Sequence, residues 1–173
     1  MLTSPPGKGG FMTNKLPFWS HSSQFTTQEQ AVLQDAMNII ARYWATRSSD
    51  VFTSPDLVKA FCQMHLAHVE REVFGALWLD QRHRLLDVED LFAGTVNQAI
   101  VQAREVLRSG LKVNASAVIF YHNHPSGCPE PSQADRQLTQ YLSTLLEPVD
   151  VRVLDHMVVS LSGVVSFAER GWC

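Results

Sequence analysis

The chain has 173 residues, of which 45% are hydrophobic, and this length predicts one domain with a sizeable core rather than two typical domains. With 14 lysines and arginines against 17 aspartates and glutamates, the net charge is −3, and the lack of a basic run argues against strong nucleic-acid binding. Cys62, Cys128 and Cys173 show no CxxC spacing and no apolar stretch is long enough to span a membrane, which predicts a cytoplasmic protein without a disulfide framework or a thiolate zinc site.

The first 25 residues are rich in glycine, proline, serine and threonine, a composition that predicts a flexible tail over residues 1–25. Thr26 and Glu29 then form a capping-box pattern, and apolar residues recur behind them at helical spacing. This pattern predicts an N-terminal helix within residues 26–50.

Ser54 and Pro55 supply an N-cap and a proline at the first helical position, and they predict a second helix that extends to about Val69. His65 and His68 lie one turn apart on this helix. Two imidazoles at that spacing can share a metal ion, but no third ligand lies nearby in the sequence. We therefore favour surface or capping roles for both histidines.

A β-hairpin is predicted next. Residues 73–79 form an apolar strand, and the polar turn over residues 81–84 leads into a second extended run at Leu85. Leu91 begins another extended stretch, which reaches Thr95 and continues toward residue 101.

The second half of the chain adds two helices and three strands. Residues 104–111 and 132–146 show helical spacing of apolar residues, and the extended runs are 117–124, 151–160 and 164–167. Helices thus interleave with strands, and at least one hairpin is present. The sequence predicts an α/β fold with a mixed β-sheet flanked by helices.

Two histidines lie at the end of a predicted strand, just before a turn. Side chains alternate along a strand, so His122 and His124 should share one face, with Asn123 on the other. Ser132 lies at the N-cap of the next predicted helix, and Asp135 follows in its first turn. Two imidazoles and one carboxylate suit Zn²⁺, and a fourth position left to water is typical of a catalytic zinc site.

Each half of this pattern also has an interpretation without a metal. Ser132 and Asp135 form a capping box that satisfies free N–H groups at the start of a helix. Two histidines at strand spacing beside a turn are more often polar side chains at the rim of a sheet than a ligand pair. The combination of the two halves, with seven residues between His124 and Ser132, favours the metal site.

The complete spacing, His-x-His-x7-Ser-x2-Asp, resembles the zinc signature of the JAMM metallopeptidases, which are built on the JAB/MPN domain. The string HNHPSG at residues 122–127, followed by PSxxD at residues 131–135, resembles the RadC-like branch. Other blocks that resemble this branch are residues 72–80, 91–95, 154–158 and 166–169. The resemblance implies a RadC-like JAB/MPN metallohydrolase domain over residues 51–173, with a cytidine deaminase-like architecture.

Two positions depart from the RadC-like pattern. The family usually has His-Pro before an Arg-Glu pair, whereas Gln102 and Ala103 stand there in this chain. Cys128 occupies a loop position that is often acidic. These departures bear on the start of the helix near residue 105 and on the polarity of the loop over the metal. We also expect a short form of the family, without the N-terminal helix-hairpin-helix segment of longer RadC-like proteins.

The resemblance assigns roles to individual residues. Its three zinc ligands are His122, His124 and Asp135. Glu72 would act as the general base, and Ser132 would donate a hydrogen bond to the developing oxyanion. From the residues alone, Glu89 and Glu105 are rivals of Glu72.

Asp155 and His156 lie in the strand predicted beside the histidine strand. A carboxylate next to a histidine can orient a metal ligand through a hydrogen bond, which makes both residues candidates for contacts behind the ligands. A structural hydrogen bond within the sheet is the stronger alternative.

Three functions fit parts of the sequence. The leading hypothesis is a zinc-dependent peptidase that cleaves peptide or isopeptide bonds in a peptide or protein substrate. The alternative is a non-catalytic, zinc-containing accessory protein in DNA repair or mobile-element biology, which the charge balance does not favour. Nucleobase deamination ranks last, because the sequence lacks the Pro-Cys-x-x-Cys motif of that chemistry.

Overall fold

The computed structural model describes residues 26–46, 55–66, 69–94 and 101–173, so the predicted tail over residues 1–25 lies outside the description. The helices and strands in chain order are α1 (Thr27–Thr46), α2 (Pro55–Leu66), β1 (Val73–Leu79), β2 (Leu85–Ala93), α3 (Ala103–Lys112), β3 (Ala117–Asn123), α4 (Gln133–Leu146), β4 (Arg152–Ser160) and β5 (Gly163–Ser166). None of the helices described is both long and apolar enough to cross a membrane.

The strands form one sheet in the order β2-β1-β3-β4-β5. β3 and β4 run parallel, with α4 in the connection between them, and the other neighbouring pairs are antiparallel. The sheet is therefore mixed, and the α/β prediction is confirmed. The connection through α4 places the carboxyl end of β3 beside the start of that helix, an edge where ligand sites form in α/β sheets.

β2 differs from its prediction, because the stretch expected to begin at Leu91 is the end of the same strand. Phe74 pairs with Phe92 and Gly75 with Asp90, so Leu91 is an extra residue on β2 opposite β1. Such a β-bulge interrupts the alternation of side chains, which is the feature that a sequence pattern detects. β2 ends at Ala93, and residues 95–100 lie outside the described ranges.

Helices cover both faces of the sheet. On the α2 face, Leu77 of β1 belongs to one apolar cluster with Phe61 of α2. On the α4 face, Trp78 of β1 belongs to a second cluster with Val106 of α3 and Leu142 of α4. Burial on two sides explains why every residue of β1 and β3 is buried and why both strands are continuous apolar runs with few polar residues.

Hydrogen bonds at the helix starts agree in part with the sequence. The Thr26 N–H donates to Glu29 Oε2 at 2.8 Å and the Glu29 N–H to Thr26 Oγ1 at 3.3 Å, so the predicted capping box of α1 is confirmed. α2 ends at Leu66, before the predicted position 69, and its predicted N-cap Ser54 lies outside the described residues. Gln102 occupies the N-cap of α3 without a side-chain hydrogen bond.

The prediction of a surface or capping role for His65 is wrong. Its Nε2 lies 2.9 Å from Oδ1 of Asp90 on β2, and the two side chains are only 10% and 13% exposed. The Tyr121 hydroxyl donates to the same carboxylate at 2.8 Å. Gly75 leaves room for that tyrosine, because a Cβ there would lie 2.3 Å from the Tyr121 ring. His68 lies outside the described residues.

Candidate metal centre

Three side chains converge where β3 ends and α4 begins. His122 and His124 bring their Nε2 atoms to 2.9 Å from each other. Asp135, in the first turn of α4, places Oδ1 3.5 Å from Nε2 of His122 and Oδ2 3.6 Å from Nε2 of His124. Each residue offers one ligand atom to a common point, so the cluster could hold a metal ion.

The spacing of these atoms suits zinc. Bonds of about 2.0–2.1 Å from Zn²⁺ to nitrogen and oxygen, arranged as a tetrahedron, separate neighbouring ligand atoms by ~3.3 Å. The three observed distances of 2.9, 3.5 and 3.6 Å bracket that value. Small side-chain adjustments would therefore accommodate the ion.

The hydrogen-bond pattern of the cluster suits a positive charge. Nδ1 of His124 lies 2.9 Å from the carbonyl oxygen of Cys128, which can only accept, so Nδ1 carries the hydrogen. In neutral His124, Nε2 then carries a lone pair, which faces Nε2 of His122 and the Asp135 carboxylate. The carboxylate also offers only lone pairs. A cation where these atoms meet, either a proton or a metal ion, would satisfy the lone pairs, and so would a hydrogen on Nε2 of neutral His122. The contact with Nδ1 of His124 uses the main-chain carbonyl of Cys128. The departure from the family pattern at this loop position therefore does not change the hydrogen bond to His124.

Burial and mutual contacts set the protonation of the cluster. Burial lowers the pKa of His122 from its usual 6.5 to about 4, against the opposing charge of Asp135. The hydrogen bond with Asp135 raises the pKa of His124. Burial alone would raise the pKa of Asp135, but its contacts with both histidines and with Ser132 lower it far below the usual value. At neutral pH the cluster combines a carboxylate with a neutral His122, the forms that bind metals.

Ser132 caps α4 and contacts the same carboxylate. Its hydroxyl accepts from the Asp135 N–H at 3.1 Å and donates to Asp135 Oδ2 at 2.7 Å. The Ser132 N–H donates to that oxygen as well, at 2.7 Å, which completes the capping box. The cap and the cluster use the same residues, so the capping interpretation of the sequence does not compete with the metal site.

Glu72 lies just before β1, next to the strand that carries the cluster. Phe74 of β1 pairs with His122 of β3, so the start of β1 lies beside the end of β3 that carries the cluster. After the hydrogen bond with Asp135, the negative charge of Glu72 is a further cause of the raised pKa of His124. Glu72 is therefore near enough to the cluster to act on it.

The two rival glutamates make their contacts away from the cluster. Glu89, within β2, accepts a hydrogen bond from Ser109 of α3. Glu105 forms an ion pair with Arg108 one turn along α3. Of the three candidates, Glu72 is the one whose charge acts on a histidine of the cluster.

Asn123, between the two histidines, holds the segment that carries Glu72. Its Oδ1 accepts from the Val73 N–H at 2.8 Å, and its Nδ2 donates to the carbonyl oxygens of Val69 and Arg71 at 2.9 and 3.0 Å. Asn123 is buried, and all three of these hydrogen bonds reach the main chain. The end of β3 thus contributes His122 and His124 to the cluster, and the Asn123 side chain between them holds the segment that carries Glu72.

Asp155 and His156, both candidates for contact with the metal ligands, make different contacts in the structure. Nε2 of His156 lies 2.8 Å from Nδ1 of His122, so His156 contacts a member of the cluster. Asp155 accepts from the Ser166 hydroxyl at 2.6 Å and from the Ala168 N–H at 2.9 Å. Asp155 therefore makes structural hydrogen bonds, which was the alternative interpretation, and does not contact the cluster through any of these bonds.

Thr139 is a residue that sequence reasoning missed. It is buried on α4 one turn after Asp135, donates to the Asp135 carbonyl oxygen at 2.7 Å, and has its hydroxyl oxygen 2.6 Å from Nδ1 of His156. The sequence pattern that could have identified Thr139 is a polar residue on the apolar face of an amphipathic helix, four positions after a candidate ligand.

A mixed sheet with helices on both faces, and a His-His-Asp cluster where a strand meets the following helix, define an α/β protein of the JAB type. The sequence profile of the RadC-like JAB domain matches residues 52–172. The chain belongs to this family.

Three relatives illustrate the match. A UPF0758 protein of Vibrio cholerae is 50% identical over 144 residues, which cover 83% of this chain and 89% of the relative. A second UPF0758 protein of Vibrio cholerae is 47% identical over 152 residues, or 88% and 95% of the two chains. A UPF0758 protein of Methylibium petroleiphilum is 52% identical over 145 residues, or 83% of this chain and 65% of the relative. These names assign no reaction.

Proposed function

We propose that this protein is a cytoplasmic, zinc-dependent peptidase of the JAMM type that hydrolyses a peptide or isopeptide bond in a peptide or protein substrate. The observation that carries the proposal is the convergence of His122, His124 and Asp135 beside Glu72, at distances that suit Zn²⁺. Membership of the JAB domain family supports it. All three cysteines are free, as the reducing cytoplasm favours.

The side chains of the cluster divide the work. His122, His124 and Asp135 hold the metal, which when bound supplies a Lewis acid and lowers the pKa of a water molecule toward about 7. Glu72 accepts the proton of the attacking water and returns it to the departing amine. The negative charge of Glu72, which after the hydrogen bond with Asp135 is one cause of the raised pKa of His124, supports this role.

Ser132 stabilises negative charge on the substrate carbonyl oxygen in this proposal. Its hydroxyl hydrogen points at Asp135 in the structure, so donation to a substrate requires rotation of the hydroxyl. The Ser132 N–H keeps its own bond to Asp135 during that rotation. Loss of one such donor in other enzymes costs about 2.7–4 kcal/mol of transition-state stabilisation.

Metal content tests the site. Purified protein should contain about one zinc ion per chain, as a three-ligand catalytic site binds a single ion. The double variant His122→Ala/His124→Ala should lose it. His83→Gln, which changes a histidine in the turn between β1 and β2, is the matched control and should retain it. Stoichiometric zinc in the double variant would place the metal elsewhere.

Hydrolysis tests the catalyst. A library of peptides and isopeptide-linked peptides at neutral pH should be cleaved by the wild type but not by Glu72→Gln, which removes the proton acceptor and no ligand. Glu72→Gln should keep zinc and the fold, whereas Asp135→Asn should weaken zinc binding. Full turnover by Glu72→Gln would assign the base to another residue. Bound zinc without any hydrolysis by the wild type would favour the accessory-protein function.

A further inference from the structure

A chain of hydrogen bonds runs from α4 to one of the candidate ligands. Oγ1 of Thr139 lies 2.7 Å from the carbonyl oxygen of Asp135 and 2.6 Å from Nδ1 of His156. Nε2 of His156 in turn lies 2.8 Å from Nδ1 of His122. Thr139, His156 and His122 are 3%, 0% and 2% exposed, so bulk water does not compete for these contacts.

The position of each hydrogen in this chain follows from its first member. A carbonyl oxygen only accepts, so the Thr139 hydroxyl donates to Asp135. A hydroxyl has one hydrogen, and Thr139 must therefore accept from Nδ1 of His156. Neutral His156 then has its lone pair on Nε2 and accepts from Nδ1 of His122. Nε2 of His122 is left with a lone pair that faces Asp135 and His124.

The opposite direction leaves a contact without a hydrogen. If Thr139 donated to His156, the hydroxyl oxygen and the Asp135 carbonyl oxygen would face each other at 2.7 Å with only lone pairs between them. His156 would then donate from Nε2 to His122, and His122 would carry its own hydrogen on Nε2. A neutral imidazole binds a metal through its unprotonated nitrogen, so that tautomer would block the site.

We propose that Thr139 and His156 are positioning residues that hold His122 in the tautomer with hydrogen on Nδ1 and so present its Nε2 to a metal ion. The inference rests on the proposed metal site. In the protein without metal, a proton on Nε2 of His124 would fill its 2.9 Å contact with Nε2 of His122, so the same tautomer of His122 is expected there. Asp135 thereby acts twice, since its carboxylate joins the cluster while its carbonyl sets the tautomer of a histidine on the neighbouring strand. Residues that orient a metal-binding histidine typically change metal affinity about 10–100-fold when they are mutated.

Nitrogen-15 NMR of the imidazole rings in chelator-treated protein measures the tautomer. At a pH where His122 and His156 are neutral and His124 carries a proton on both nitrogens, the wild type should carry hydrogen on Nδ1 of both His122 and His156. Thr139→Val, which lacks the hydroxyl but has a similar shape, should lose this preference, and Thr139→Ser should keep it. Thr144→Val is the matched control, because Thr144 makes the same bond to the Gln140 carbonyl on the exposed side of α4. Hydrogen on Nε2 of His122 in the wild type would overturn the proposal.

Zinc affinity gives a second readout, by titration against a chelator of known affinity. Thr139→Val should bind zinc about 10–100-fold more weakly than the wild type, while Thr139→Ser and Thr144→Val should stay close to it. Thermal unfolding checks that Thr139→Val is folded. Wild-type zinc affinity in the folded variant would refute the role of Thr139. A wild type that binds no zinc would refute the proposed function instead, and the NMR result would still decide the direction of the hydrogen-bond chain.

Discussion

Asn123 combines scaffold and chemistry in one side chain. It separates His122 from His124 in the sequence, and its buried amide makes three hydrogen bonds with the main chain of residues 69–73. Removal of a partner from a buried polar group leaves that group unpaired and costs about 1–3 kcal/mol. Because Glu72 lies within the segment that Asn123 binds, a change at this position should affect both stability and the candidate base.

Asn123→Asp should therefore keep zinc but lower the free energy of unfolding by about 1–3 kcal/mol and slow hydrolysis. The new carboxylate still accepts from the Val73 N–H, but it has no hydrogen for the carbonyl oxygens that Nδ2 serves. Denaturant unfolding and turnover per bound zinc measure the two effects. The control is Asn114→Asp, at an exposed turn position after α3, where stability should change by less than about 0.5 kcal/mol. Wild-type turnover in Asn123→Asp would mean that other contacts suffice to hold Glu72.

At the scale of elements, α2 is joined to the sheet by the His65–Asp90 ion pair. Burial alone would lower the pKa of His65 and raise that of Asp90. The carboxylate nevertheless raises the pKa of His65 above its usual 6.5, and the histidine lowers the pKa of Asp90 below its usual 3.8. The contribution of His65 to stability is full below pH 6.5 and is lost as pH rises through the raised pKa. The contribution of Asp90 is full above pH 3.8 and is lost as pH falls through the lowered pKa.

Asp90→Asn should consequently lower the free energy of unfolding by about 1–3 kcal/mol at mildly acidic pH, and by less at alkaline pH, where His65 is neutral in the wild type as well. Tyr121→Phe is the comparison, because it removes a hydrogen bond to the same carboxylate without removing a charge. Its effect should vary little with pH. Denaturant unfolding at several pH values measures both variants, and a difference between Asp90→Asn and wild type that did not vary with pH would show that the pair is not ionised.

The strands are more predictable than the contacts between distant segments. β1 and β3 follow from apolar runs that end at polar turns, and the shared face of His122 and His124 follows from alternation between near neighbours. By contrast, His65 and Asp90 lie 25 residues apart and His122 and His156 lie 34 apart. Such contacts depend on which elements become neighbours in the fold, and no local pattern encodes that order.

For the whole molecule, charge bears on the choice between peptidase and nucleic-acid accessory protein. The arginines nearest to a basic cluster in the sequence are Arg82, Arg84, Arg104 and Arg108. Arg84 pairs with Asp80 at 2.6 Å and Arg108 pairs with Glu105 at 2.5 Å, so two of these charges are already matched. The net charge of −3 adds no general attraction for phosphate groups.

We therefore predict no measurable binding of a labelled DNA duplex near physiological salt, and only weak, sequence-independent binding at low salt. Non-specific binding by proteins that neutralise many phosphates has a Kd of about 10⁻⁴–10⁻⁶ M. A fluorescence titration that gave a Kd well below about 10⁻⁶ M at physiological salt would contradict this expectation. It would make the accessory-protein function the better one.

The position of His156 on β4 also bears on the order of events during synthesis. His156 lies 34 residues after His122, and Asp135 lies between them, so all three candidate ligands emerge from the ribosome before β4 does. A growing chain that ends after α4 has the full ligand set without the neighbour that orients His122. With the proposed role of His156, tight capture of an ion would wait until β4 joins the sheet, so we expect the chain to bind a metal as a folded domain rather than as an emerging segment.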